Sequence, residues 1–293
     1  WFELNVLDTT KLLKISDMYI FTHIYQLKLI PPTGLMNNKA DYTNMTKIIK
    51  LRSELKEIYQ NLELCEDRWS SSHEGESIST YEMQVGNKFP QEPNSGIIFY
   101  GRSCNGWDRS CPNGIEDNRK IYDMSIMEKD SSKRAFFQLC KLISNNFYED
   151  NWYEYIAWSN ITKLVFCSGG NPTEELWQEQ VDFLPLILKK EIEILSPQIV
   201  IFVVGDSVKK GYETPIYQAF PQLKKKKSYS IKWGEYKRYG KSYPLTCSSY
   251  ELDEKVFIFT DRPEHKKYMK EHINAIIDLI GRDSCCLDAE IGG

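Results

Sequence analysis

Residues 198–204 (QIVIFVV) form a short apolar run that is followed directly by Gly205, Asp206 and Ser207. A run of this length, rich in β-branched side chains and bounded by turn residues, is typical of a buried strand. The chain contains three more runs of this kind, at residues 96–100 (GIIFY), 155–159 (YIAWS) and 255–260 (KVFIFT). The sequence therefore predicts four strands in its C-terminal two thirds.

Helical patterns lie between and after these strands, at residues 132–146, 173–195, 206–220 and 265–280. In the second pattern, Pro172 and Thr173 precede Glu174 and Glu175, a combination that is typical of a capped helix start. Strands that alternate with helices indicate a parallel sheet. We therefore expect an open three-layer α/β/α sandwich with a central, mostly parallel four-stranded sheet.

Residues 1–95 are expected to form a mostly helical N-terminal extension that ends in a polar linker. Within it, residues 47–64 (KIIKLRSELKEIYQNLEL) place apolar side chains at helical spacing. Residues 70–95 are rich in Ser, Glu, Gly and Pro, as linkers usually are. The remaining residues, 96–293, are predicted to form the α/β domain, with a basic insertion at residues 209–241.

The composition is that of a soluble globular protein. Of the 293 residues, 41% are hydrophobic and 27% are charged, which excludes a largely disordered chain. The net charge of −4 argues against a generally cationic nucleic-acid or membrane binder, so any site for a polyanion must be local. Because no apolar run reaches the roughly 20 residues that span a bilayer, we expect a cytoplasmic protein with no membrane contact.

The eight cysteines show no closely spaced pair of the kind that holds zinc or an iron-sulfur cluster. Free thiols in a reducing compartment are therefore expected, with no metal site and no cofactor.

Polar clusters follow each of the four predicted strands. They are residues 101–108 (GRSCNGWD), 160–163 (NITK), 205–207 (GDS) and 261–265 (DRPEH). In open α/β sheets ligands bind outside the carboxyl ends of the strands, so these clusters predict one functional site. Each residue alone has another explanation, since Asn160 could cap a turn, Asp206 could cap a helix and Arg262 could form a surface ion pair.

The stretch at residues 155–205 resembles the middle of the uracil-DNA glycosylase superfamily. The similarity rests on the Asn-hydrophobic-x-Lys segment at residues 160–163, the Asn-Pro turn at residues 171–172 and the Leu-Pro pair at residues 184–185, before a buried strand and Gly205. The loop from Gly101 corresponds to the first motif of that superfamily. Residues 260–263 (TDRP) correspond to its second, which usually contains His-Pro. The resemblance covers residues 96–280.

The resemblance implies an enzyme that flips a nucleotide out of DNA and hydrolyses the bond between its base and deoxyribose. The cysteines of the iron-sulfur branch align with Leu164 and Gln180, so no cluster is expected. Arg102 or Ser103 stands where the superfamily has its activating residue, and Arg262 replaces the second-motif His. The expected target is therefore a modified pyrimidine, including one in phage DNA attacked as an antiviral defence, or uracil.

This chemistry needs a cation or donor near the departing base, and a carboxylate near the sugar and its attacking water. We assign the first role to Arg262 and the second to Asp108, with Asp261 as the competing carboxylate. Asn160 resembles the base-reading Asn of the superfamily. Trp107 either stacks on the flipped base or belongs to the core. The remaining predicted base-pocket residues are Arg102, Ser103 and Asn105.

Residues 209–241 contain ten Lys or Arg against two Glu, a net charge of +8 within a chain of −4. Tyrosines and Trp233 are interleaved with these charges, a mixture that suits phosphate contact and base stacking. The alternative is a solvated loop. The residues predicted to contact DNA are Lys163, Lys224, Lys225, Lys226, Lys227, Arg238 and His265. No obligate protein partner is predicted.

Two other functions remain open at this point. The first is a nucleic-acid-binding module that kept the scaffold but lost catalysis, since the usual activating residue is replaced. The second is a hydrolase of free nucleotides, which would be indifferent to the lysine run. A serine hydrolase triad is not expected from a chain with four histidines.

Overall fold

The structure is a computed structural model that describes residues 39–103, 124–204, 211–231, 237–238, 241–242, 245–262 and 269–281. Side chains are described from residue 47 onwards, except over residues 231–242. The chain divides into two compact units, residues 1–39 and residues 40–293, and apart from Lys39 the described residues belong to the second.

The described residues contain seven α-helices and eleven strands. The helices are α1 (Lys39–Ser72), α2 (Ser125–Ser131), α3 (Ala135–Ser144), α4 (Glu174–Gln178), α5 (Leu184–Leu195), α6 (Glu213–Ala219) and α7 (Met269–Ile280). The strands are β1 (Ile78–Thr80), β2 (Gln84–Val85), β3 (Ile97–Gly101), β4 (Ile156–Asn160), β5 (Leu164–Phe166), β6 (Ile199–Val203), β7 (Lys224–Ile231), β8 (Lys237–Arg238), β9 (Lys241–Ser242), β10 (Leu245–Leu252) and β11 (Lys255–Thr260).

The protein is a mixed α/β structure with a mostly parallel central sheet. Its strand order is β2-β4-β3-β6-β11-β10-β7, and the four strands β4, β3, β6 and β11 run parallel to one another in the middle. These four are the strands predicted from the sequence. The predicted sheet size is wrong, however, because β2, β10 and β7 extend it to seven strands through antiparallel pairing.

Alternate residues of the parallel strands pack into two separate hydrophobic clusters. One cluster contains residues from α1, α5 and α6, together with Ile98, Tyr100, Val200, Phe202 and Phe257 from the sheet. The other contains residues from α3 and α7, together with Ile97, Phe99, Ile199, Ile201 and Ile258. Because successive side chains of a strand point to opposite faces, the parallel strands contribute alternate residues to the two clusters.

Helix α1 packs as part of the unit that contains the sheet. Its side chains Leu51, Leu55, Tyr59 and Leu62 are buried in the first cluster. Strand β2, which lies in the predicted linker, pairs with β4. Over residues 40–95 the predicted N-terminal extension is therefore continuous with the α/β core.

The predicted helix at residues 173–195 is divided in two. The Thr173 hydroxyl accepts a hydrogen bond from the Leu176 backbone N–H and caps α4, as the sequence indicates. Pro185 lies in the first turn of α5. Proline lacks a backbone N–H, so it is accommodated at a helix start but would break one continuous helix.

None of the helices in the described residues combines the length and the apolar composition that crossing a bilayer requires.

Candidate functional site

The carboxyl ends of the parallel strands bring several predicted site residues to one edge of the sheet. Strands β4, β3, β6 and β11 end at that edge in this spatial order. Arg102 and Ser103 follow β3, Asn160 ends β4, and Asp261 and Arg262 follow β11. Since neighbouring strands are about 4.8 Å apart, the ends of β4 and β11 are about 14 Å apart.

Asn160 packs directly against the end of the neighbouring strand. It pairs with Gly101 in the parallel register of β3 and β4, and the residue is only 2% exposed. A Cβ atom added to Gly101 would lie 2.5 Å from the Asn160 Oδ1 atom. The side-chain amide of Asn160 therefore occupies space that only a glycine at position 101 leaves open.

Hydrogen bonds join the turn after β4 to the residues that follow β3. The Ile161 N–H donates to the Gly101 carbonyl at 2.8 Å. The backbone N–H and the hydroxyl of Thr162 both donate to the Arg102 carbonyl, at 3.0 and 2.9 Å. These bonds fix the backbone of Asn160 and Arg102 relative to each other.

Arg102 and Ser103 are half-buried at this edge. The Ser103 hydroxyl donates to the Gly170 carbonyl at 3.1 Å. Burial raises the pKa of Tyr212, and the nearby positive charge of Arg102 partly opposes that shift. Tyr212 meets Trp177 edge to face at 5.0 Å between ring centroids, so an aromatic pair lies within electrostatic range of Arg102.

Asp261 has a structural partner. Its Oδ2 atom accepts hydrogen bonds from the backbone N–H and the hydroxyl of Thr246, at 2.5 and 3.1 Å. Its own backbone N–H donates to the Thr246 carbonyl at 3.1 Å. Asp261 therefore ties the end of β11 to the start of β10.

Several predicted residues lie outside the described part of the chain. They are Asn105, Trp107, Asp108, Asp206 and His265, together with the side chain of Arg238.

Lys163 is fully buried, and the prediction that it contacts DNA is wrong. Its ammonium group lies 2.7 Å from the Glu191 Oε1 atom and donates to the Ser159 hydroxyl at 2.6 Å. Both charged side chains of this ion pair are 0% exposed. The turn after Asn160 directs the side chain into the interior, where no phosphate can approach it.

The partners of Lys163 were missed by sequence reasoning. The Ser159 hydroxyl lies 3.3 Å from both carboxylate oxygens of Glu191, and the Tyr100 hydroxyl donates to Oε2 at 3.0 Å. Burial and the neighbouring Glu191 carboxylate raise the pKa of Tyr100 well above its usual range, so its phenol remains a donor. A sequence signal existed, because Glu191 falls on the apolar stripe of α5 formed by Leu184, Ile187, Leu188, Ile192 and Leu195.

Gln180 is fully buried and bonds to the backbone at the start of β5. Its Oε1 atom accepts from the backbone N–H groups of Lys163 and Leu164, at 2.6 and 2.9 Å. Its amide nitrogen donates to the Leu164 carbonyl at 3.1 Å. Gln180 thus holds the backbone of Lys163 and Leu164 in place. Within the described ranges, no three His, Cys, Asp or Glu side chains are grouped so that they could hold a metal ion.

The lysine run forms the first half of an edge strand instead of a loop. Lys224, Lys225, Lys226 and Lys227 are exposed on β7, the last strand of the sheet. Lys226 and Lys227 form ion pairs with Glu251 and Asp278, at 2.5 and 2.7 Å. Among the described residues, Lys224 and Lys225 have no carboxylate partner.

The register of β7 places its lysines away from the candidate site. Tyr250 pairs with both Lys225 and Phe257, whereas Cys247 pairs with both Tyr229 and Thr260. Lys225 therefore lies three residues, or about 10 Å, below the edge where β11 ends. The last pair of β7 and β10 is Ile231 with Leu245, on the side of that edge.

A groove of about 760 Å³ lies at the opposite end of the sheet, beside the turn between β10 and β11. Apolar side chains line much of it, among them Pro185, Leu186, Ile192, Phe220, Leu252 and Phe257. The amino ends of parallel strands are not where open α/β sheets bind their substrates, so we place the candidate site at the other edge, around Asn160.

Comparison with known proteins yields no family model that matches the chain and no curated protein that matches it.

Proposed function

We propose that this chain is a DNA glycosylase without an iron-sulfur cluster, with the three-layer architecture of the uracil-DNA glycosylase superfamily. It would flip out a modified pyrimidine or uracil and hydrolyse its bond to deoxyribose. The observation that carries the proposal is the Asn160 amide, packed on Gly101 at the carboxyl edge of the sheet and joined through its turn to Arg102.

An asparagine amide suits the recognition of a flipped base. It offers both a donor and an acceptor, which can pair with the Watson–Crick edge of a pyrimidine. Recognition requires that the amide hold one orientation, since a freely rotating group loses entropy when it binds. The contact with Gly101 and the backbone bonds around residues 160–162 support such a fixed orientation.

The charged groups near the edge suit the breaking of an N-glycosidic bond. The departing base gains negative charge, and in this proposal the guanidinium of Arg262 stabilises it. A carboxylate is needed near the sugar and the attacking water. Because one oxygen of Asp261 already bonds to Thr246, we assign this role to Asp108.

DNA would be held by the basic side of the molecule. Lys224 and Lys225 are exposed and have no carboxylate partner in the described structure, so they are open to phosphate contact. In sequence, β7 is followed by Lys232, Lys237, Arg238 and Lys241, which add to the positive charge of this segment. We propose that the enzyme acts in the cytoplasm, and that modified phage DNA is one source of its substrate.

The proposal is tested with duplex and single-stranded DNAs that carry uracil, hydroxymethylcytosine, glucosylated hydroxymethylcytosine or ordinary bases. After incubation with the purified chain, hot alkali and a sizing gel reveal abasic sites. We expect strand cleavage at one kind of base. Salt-sensitive DNA binding without cleavage at any base would instead identify a binding module that has lost catalysis.

A further inference from the structure

A buried ion pair lies directly beneath the turn that carries Asn160. The pair consists of Lys163, which follows the turn, and Glu191 on α5, with 2.7 Å between the ammonium nitrogen and Oε1. Ser159 precedes the turn, and its hydroxyl lies 3.3 Å from the same carboxylate. The residues on both sides of Asn160–Thr162 are therefore attached to one acidic group.

The carboxylate of Glu191 is itself fixed. The Tyr100 hydroxyl on β3 donates to its Oε2 atom, and the Lys163 ammonium also donates to the Ser159 hydroxyl. Strands β3 and β4, the turn and helix α5 thus meet at this buried ion pair. These attachments involve Tyr100, one residue before Gly101, and Ser159, one residue before Asn160.

Stability alone is a poor explanation for this pair. Removing two charges from water is costly, and replacing a buried ion pair with apolar residues of similar volume is often neutral or stabilising. A buried charged network does, however, favour one geometry over others, because its hydrogen bonds are directional. Because the network lies beneath Asn160, that fixed geometry can hold the Asn160 turn in one position.

We propose that Lys163 and Glu191 are positioning residues, which set the orientation of the Asn160 amide at the candidate site. The part of this inference that concerns base recognition rests on the proposed glycosylase function. The positioning itself is a property of the folded chain and can be tested without any activity.

The test compares the wild type with the double variant Lys163→Met/Glu191→Leu, which replaces the pair with apolar side chains of similar size. In protein labelled with ¹⁵N only at asparagine, the Asn160 side-chain amide is identified by its loss in Asn160→Asp. We expect the exchange of its protons with water to accelerate at least tenfold in the double variant, while the melting temperature changes little.

Ser159→Ala is the second variant. It removes only one hydroxyl, so we expect it to fold even if the double variant does not. It should accelerate the exchange of the Asn160 amide protons in the same direction. Ser144→Ala is the matched control, since Ser144 is equally buried but lies on α3, and it should leave the exchange unchanged. The inference is overturned if the folded double variant leaves the exchange of the Asn160 amide protons unchanged. If the double variant does not fold, the same result in Ser159→Ala overturns it.

Kinetics then separate this inference from the proposed function. If the wild type excises a base, we expect kcat in the double variant to fall at least tenfold, with relaxed discrimination between bases. If kcat and base discrimination stay at wild-type values, the network does not position Asn160 for the reaction. If the wild type excises no base, the glycosylase proposal fails, and the exchange measurement still decides whether the pair positions Asn160.

Discussion

Gly101 has no room for a side chain, because Asn160 occupies the space beside it. A Cβ atom at this position would lie 2.5 Å from the Asn160 Oδ1 atom, far inside van der Waals contact. Asn160 is buried, so it cannot move into solvent to relieve the clash. Position 101 therefore accepts only glycine, and the Asn160 amide is held in one place.

We predict that Gly101→Ala displaces the Asn160 amide and lowers kcat/KM for base excision at least tenfold. Overpacking of this kind also lowers the free energy of unfolding, by about 1–3 kcal/mol. The control is Gly75→Ala, where the added Cβ meets no atom within 4 Å but φ is +83°. This control should lose about 1 kcal/mol through backbone strain and keep its activity. Equal activity in the two variants would show that the contact with Asn160 is unimportant.

His272 provides a pH dependence at the residue scale. It is fully buried on α7, its Nε2 atom lies 2.5 Å from the Thr260 hydroxyl oxygen, and burial lowers its pKa to about 4. An unfolded chain takes up this proton near pH 6.5, whereas the folded protein resists it. Stability should therefore fall as the pH drops from about 6.5 to about 4, by about 3 kcal/mol in total.

Urea unfolding at pH 7 and pH 4.5 measures this loss. In His272→Gln no imidazole titrates, so the difference between the two pH values should shrink by about 2 to 3 kcal/mol. Loss of the same stability in wild type and variant would assign the pH dependence to other groups.

Individual side chains were only partly predictable from the sequence. Asn160 stands out because it directly follows a buried strand, and the structure places it at the expected edge. Lys163 lies three residues further on, and spacing alone does not tell whether a turn points a side chain outward or inward. The direction depends on Glu191, which is distant in sequence but close in space.

At the scale of elements, the parallel strands were predictable, and the antiparallel ones were not. Runs such as that of β6 are apolar throughout because both faces of the strand are covered. Strand β7 (KKKKSYSI) resembles a solvated charged segment, since an edge strand exposes its side chains and tolerates lysine. Its pairing depends on β10, whose alternating burial is a weaker sequence signal.

The edge strand also allows the DNA-binding proposal to be tested. Removing the charges of Lys224 and Lys225 by alanine substitution should weaken DNA binding and reduce the slope of log Kd against log salt concentration by about 2. The comparison is a double alanine variant of Lys56 and Lys129, exposed lysines on α1 and α2, with the same loss of charge. Fluorescence anisotropy at several salt concentrations gives the slopes. Equal slopes in both double variants would exclude a specific role for β7.

At the scale of the whole molecule, the residues of the proposed site that the structure describes lie at one edge of the sheet. The described residues there include a fixed amide, two arginines and an aromatic pair, while the groove of about 760 Å³ lies at the other end. Chain topology made this edge predictable, because parallel strands bring their carboxyl ends together. The buried ion pair of Lys163 and Glu191 beneath Asn160 depends on contacts between distant segments. The sequence pattern does not show those contacts.

The most direct measurement is the release of free base from DNA under single-turnover conditions, detected by mass spectrometry. It uses the DNA panel described above with the wild type, Asn160→Ala and the control Asn145→Ala, whose residue lies at the C-terminal end of α3. We predict that the wild type and the control release one kind of base at similar rates, and that Asn160→Ala is at least a hundredfold slower. No base release by the wild type, or equal release by Asn160→Ala, would contradict the proposed site.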